Sequence, residues 1–125
     1  MIAHTLRTGL VLLALIHGRS LYAHHGAAAY AVDSTVTISG VVESFDWRNP
    51  HALIRLRVAE GDASQLWTAE TAGLVILARA GWSRDALVPG TACTLVGHAA
   101  RNGSPTMILR HVVLADGRTL TNYVP

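Results

Sequence analysis

The residues best able to do chemistry in this 125-residue chain are its histidines, and they are unevenly placed. His24 and His25 stand side by side where an apolar N-terminal run ends, and His51 closes the stretch "WRNPH". A cut after Ala23 would make His24 the first residue of the mature protein. Its new amine, with a pKa near ~8, and its own imidazole would then chelate one ion. His25, or His51 from the folded domain, would complete a T-shaped set of nitrogens, a donor set that suits Cu(II). His24, His25 and His51 are therefore the candidate metal ligands and copper the candidate cofactor. The competing reading is a free tail, because chain termini are often unstructured and nothing in the spacing sets the distance from His24 to His51. His98 and His111 lie in apolar runs. His111 shares an expected strand face with Met107, Leu109 and Val113, which suits a core or barrel-rim histidine better than a ligand.

"WRNPH" is the second candidate. Trp47, Arg48, Asn49 and His51 place an aromatic surface, a cation and an imidazole around a rigid Asn-Pro turn. Stacking on such a platform suits sugars, bases or aromatic ligands. The same residues also make a good structural turn, with Trp47 closing a core and Asn49 bonding the local backbone. Trp82-Ser83-Arg84-Asp85 reads as structural, since Ser and Asp favour caps and turns. Cys93 is the only cysteine; no internal disulfide can form, and its apolar surroundings make it a small core residue.

Enzymatic constellations are missing. The eight carboxylates show no pairing suggestive of glycosidase chemistry, and the serines lack a nucleophile elbow. There is no glycine loop for phosphate and no zinc-type Cys/His spacing. The expectation is a non-enzyme.

The elements that must position these residues follow from the pattern of apolar side chains. Residues 1–23 have the three parts of a secretory leader: Arg7, the apolar "GLVLLALI", and a polar stretch ending in Ala23. The run is far shorter than the ~20 residues a bilayer span needs, so no membrane span is expected after cleavage. A cut after Ala29 competes with the one after Ala23 and would delete both histidines. Residues 24–33 then connect the leader to a domain over 34–125.

In that domain "STVTISGVVESFDW" is a β-branched strand in which Gly40 marks a bulge or sharp bend. "HALIRLRVA" alternates, with Ala52, Ile54, Leu56 and Val58 on one face and His51, Leu53, Arg55 and Arg57 on the other. "QLWTAE" is a third strand. One short helix follows in "TAGLVILARAGW", with Thr71 as cap, a stripe of Leu74, Leu77 and Ala78, and Gly81 at its left-handed end. "TACTLVGHAA" and "TMILRHVVLADGRTL" are two more strands, the last folding back at Asp116-Gly117. Five strands with a helix between the third and fourth predict an all-β fold, a small OB-like Greek-key barrel.

All ten basic residues are Arg. Two of them, Arg7 and Arg19, precede His24, which leaves eight against eight acids in residues 24–125. A neutral mature chain gives no reason to expect a nucleic-acid partner.

The chain resembles a family of small exported bacterial proteins known only as a domain of unknown function. The resemblance rests on a leader followed by "HHG", on "GVVESFDWRNPHALIRL", on "RAGWSRDALVPG" and on "LADGRTL". It implies an exported, OB-like barrel and names no reaction. The family tends to follow the histidine pair with Ser, where this chain has Gly26. The expected function is a periplasmic or secreted binding module for a small ligand or an envelope protein. A copper protein and an envelope scaffold are the alternatives, and the sequence leaves the oligomeric state open.

Overall fold

A computed structural model describes residue 26 and residues 28–122. His24, His25 and the whole leader lie outside the described residues. The alternating runs become strands: β1 (Val36–Asp46), β2 (Leu53–Glu60), β3 (Ala63–Glu70), then helix α1 (Leu74–Arg79), β4 (Ala92–Ala99), β5 (Thr106–Leu114) and the short β6 (Thr119–Thr121). They pair in the order β3-β2-β1-β4-β5-β6. A parallel pairing of Thr68–Glu70 with Thr106–Ile108 joins β3 to β5 and closes five strands into a barrel. The long β1 makes closure possible, because its first half pairs with β4 and its second half with β2. This is the OB-like Greek-key barrel with its one helix between the third and fourth strands. β6 folds back onto β5 through the Asp116-Gly117 turn.

The inward residues fill the barrel. Val42, Ile54, Leu56, Leu95, Met107, Leu109 and Val112 are all at most 1% exposed, and Leu77 of α1, Trp82 and Leu87 join them in one core. Ala52, Ile54, Leu56 and Val58 face inward as the alternation predicts, with Val58 only part-buried.

Four local expectations need correction. The bulge in β1 sits at Glu43, between the paired residues Val42 and Ser44, and not at Gly40. Gly40 instead permits close strand crossing: a Cβ there would lie 2.3 Å from the Arg57 carbonyl oxygen. His111 leaves the face of Met107 and Leu109. Between the pairs Val96–His111 and Gly97–Leu109 the ladder holds one extra β5 residue, Arg110. A single inserted residue reverses the two-residue alternation, so Val112 points inward in place of His111.

The helix starts at Leu74, with Gly73 as its cap position and no side-chain cap bond from its own segment. Thr71 prolongs the β2–β3 ladder, its N–H donating to the Ala52 carbonyl at 3.0 Å and its hydroxyl bonding the same oxygen at 3.1 Å. Ala78 is exposed, so the buried stripe of the helix is Leu77 with part-buried Leu74 and Ile76. Gly81 has the expected left-handed backbone, at φ 87°. No helix among the described residues is long and apolar enough to cross a membrane.

Candidate functional site

The β1–β2 connection carries the "WRNPH" residues to the end of the barrel where β3 stops and α1 begins. Trp47 is half-buried against the core and meets Phe45 edge-on, with ring centroids 5.7 Å apart and planes at 71°. Arg48 points to solvent. The Asn49 side-chain oxygen accepts the Leu74 N–H at 3.0 Å. It thus caps a helix 25 residues further along the chain and satisfies one of the amides that every helix start leaves unpaired. The Asn49–Pro50 peptide is cis. Gly73 lies so close to this loop that a Cβ would stand 3.0 Å from the Pro50 carbonyl oxygen.

The cap gives a direct test. Asn49→Ala should lower stability by about 1 kcal/mol, the usual cost of losing an N-terminal cap, and speed exchange of the Leu74 amide. Unchanged exchange at Leu74 would show that the bond is not made in solution.

His51 lies in the loop ahead of β2 and not on the strand, and its orientation is set by a neighbour. Its Nδ1 is 2.8 Å from the Thr71 carbonyl oxygen. A carbonyl can only accept, so Nδ1 carries the proton and, in the neutral ring, Nε2 is left with its lone pair. Nε2 lies 3.5 Å from the Glu70 carboxylate, and both side chains are partly open to solvent (50% and 39% exposed). Beside this pair opens a cavity of about 430 Å³ lined by Pro50, His51, Glu70, Gly73, Ile76 and Ile108. Its size falls in the range of small-molecule sites, as does its chemistry of apolar walls with a few polar groups.

Glu70, Ile76 and Ile108 were not singled out by sequence reasoning. Glu70 ends an alternating strand and looks like any solvated charge. Only the β2–β3 and β3–β5 pairings set it between Leu53 and Ile108.

The outer face of β1 and β2 is built differently. Arg55 bonds Asp46 at 2.6 Å and Ser44 at 3.3 Å. Arg57 bonds Glu43 and, at 3.2 Å, Ser64. Each arginine there spends its charge on a carboxylate from the neighbouring strand. Among the described residues no three His, Cys, Asp or Glu side chains converge as a metal site. His98 is turned to the Ser34 carbonyl, 2.6 Å from its Nδ1.

Cys93 is 6% exposed, and burial pushes its thiol up to about 11. A protonated thiol is a poor nucleophile, so iodoacetamide at pH 8.5 should leave the native protein unmodified and label it once unfolded. Rapid labelling of native protein would contradict this burial. The folded thiol keeps its proton above the ordinary value of 9.0 while the unfolded one loses it. Stability therefore falls as pH rises from 9.0 towards 11.

Residues 13–109 match a family of unknown function (DUF6152). The match spans most of the chain, so the chain belongs to that family. No curated protein and no solved structure matches it.

Proposed function

We propose that this member of the family is an exported, non-enzymatic binding module that captures a small ligand in the cavity beside His51. The observation that carries the reading is the meeting of four separate segments at one concave spot, β5 contributing Ile108. The "WRNPH" loop, the end of β3 and the start of α1 line an apolar cavity with a fixed imidazole and a carboxylate at its rim. OB barrels commonly bind at the loop joining their first two strands, which is where His51 stands. The apolar leader of residues 1–23 supports delivery to the bacterial periplasm or beyond.

Methyl NMR of the exported protein with benzyl alcohol as probe tests the site. Millimolar probe should shift Ile76 and Ile108 and leave Leu95, deep in the barrel, unmoved. Ile108→Trp should fill the space and abolish the response. Absence of any shift at Ile76 and Ile108 would sink the binding reading. Export is tested by intact mass, expected to begin at His24; an uncleaved chain in the cytosol would overturn it.

A second reading, copper binding by His24, His25 and His51, is favoured by one observation. The Nδ1 bond to Thr71 leaves the His51 Nε2 lone pair available, the arrangement that second-shell carbonyls impose on metal-bound histidines. Cu(II) titration of protein beginning at His24 tests it. Equal affinity in His51→Ala would restrict any site to the tail.

A further inference from the structure

We infer that the cavity beside His51 takes an organic ammonium ion, a primary amine on an apolar or aromatic body. The inference rests on the binding reading above and names the ligand's chemistry.

Two acceptors face each other at the cavity rim. The Thr71 carbonyl holds the proton of neutral His51 on Nδ1, so Nε2 can only accept. Glu70, 3.5 Å away, is a carboxylate and can also only accept. Two lone pairs at that distance repel unless something positive lies against both. In the empty cavity solvent water or a protonated His51 answers this, since both side chains are partly exposed; in the occupied cavity a ligand N–H takes their place. An ammonium group has three donors in tetrahedral array, enough to serve Nε2 and Glu70 together and leave one for solvent.

The charge balance of the barrel wall points the same way. Glu43 and Asp46 are each matched by an arginine on β2, Arg57 and Arg55. Glu70 has no arginine opposite: its cross-strand neighbours are Leu53 and Ile108. Among the described residues its one ionic partner is His51. A carboxylate beside apolar walls, with no fixed cation, selects for positive charge, because charge-assisted hydrogen bonds are the strong ones.

The rest of the cavity selects for an apolar body. Ile76, Ile108, Pro50 and the bare backbone of Gly73 bound a space of about 430 Å³, enough for a ring or a short alkyl chain. A bare metal ion would leave that space empty and would find only His51 and Glu70 as ligands among the described residues.

The test uses the exported protein and three probes of matched shape: benzylamine, benzyl alcohol and benzoate, each followed by the Ile76 and Ile108 methyls and the His51 ring protons. Benzylamine should bind about tenfold tighter than benzyl alcohol, the usual scale of one charge-assisted hydrogen bond, and benzoate should not bind. Glu70→Gln should erase the preference for the amine, bringing its affinity down to that of benzyl alcohol, while the thermal midpoint stays unchanged and shows that the fold is intact.

Equal affinity for the amine and the alcohol in the parent protein would refute the ammonium class and leave the binding site standing. If none of the probes moves Ile76 or Ile108, the site reading and this inference fall together. If equimolar Cu(II) alone perturbs His51 and Glu70 and benzylamine neither binds nor competes, the pair is a metal site and the inference is overturned.

Discussion

Gly40→Ala should cost this protein about 3 kcal/mol, the upper range for forcing an extra methyl into a close-packed interior. Gly40 lies in the half of β1 that pairs with β4, opposite Cys93, just before β1 passes to β2. The added Cβ would meet the Arg57 carbonyl oxygen at 2.3 Å, its carbon at 3.0 Å and Leu56 Cγ at 3.1 Å. Two of these are backbone atoms of β2, whose ladder bonds to β1 and β3 hold them in place. Relief therefore requires a strand to move. Small domains have only about 5–15 kcal/mol of total stability, so the thermal midpoint should drop by roughly 10–20 °C.

Gly97→Ala should behave the same way, since its Cβ would stand 2.3 Å from the Ile108 carbonyl oxygen. Equilibrium urea unfolding followed by circular dichroism measures both. A loss below about 1 kcal/mol in Gly40→Ala would mean the strand crossing is looser than described.

Asn122→Ala should be comparably damaging by a different route. Asn122 is 5% exposed, and its side chain bridges the β3–α1 connection to β5 just past the end of the β3–β5 ladder. Its oxygen accepts the Ala72 N–H at 2.8 Å, across 50 residues of sequence, and its amide donates to the Leu109 carbonyl at 2.7 Å. Its own backbone N–H continues the β5–β6 pairing by donating to Arg110. The bridge lies where β5 stops pairing with β3 and begins pairing with β6.

Truncation leaves a buried donor and a buried acceptor unpaired, each costing about 1–3 kcal/mol, and a total near 3 kcal/mol is expected. Hydrogen exchange separates this mechanism from a general loosening. Protection of the Ala72 amide should fall further than that of Leu95, which sits in the middle of the barrel. Asn122→Asp keeps the acceptor but loses the donor and buries a charge, so it should be no better than Ala. Unchanged protection at Ala72 in Asn122→Ala would remove the bridge from the account.

Much of the candidate site was half-legible. The "WRNPH" residues stand out by type, and the structure places His51 at the cavity rim while giving Asn49 to the helix and Trp47 to the core edge. The sequence cannot distribute those roles, because a helix cap and a ligand contact draw on the same amide. Glu70 escaped notice for a related reason. Its neighbours Leu53 and Ile108 arrive from other strands, and at the end of "QLWTAE" it is simply a charge next to a turn.

What the sequence settles alone is whatever depends on neighbours a few residues away. The alternation of Ala52 to Val58, the left-handed glycine at 81, the turn at Asp116-Gly117 and the order of strands and helix all belong to this class, and together they lead to the barrel. Tertiary structure decides what depends on phase and on distant partners. The extra residues at Glu43 and Arg110 reverse which side chains face inward beyond them, and they leave no mark in composition. The facing of His51 and Glu70 and the bridge from Asn122 to Ala72 likewise exist only after closure. A strand's own residues set its two faces, but the chain that lies across from it sets what those faces meet.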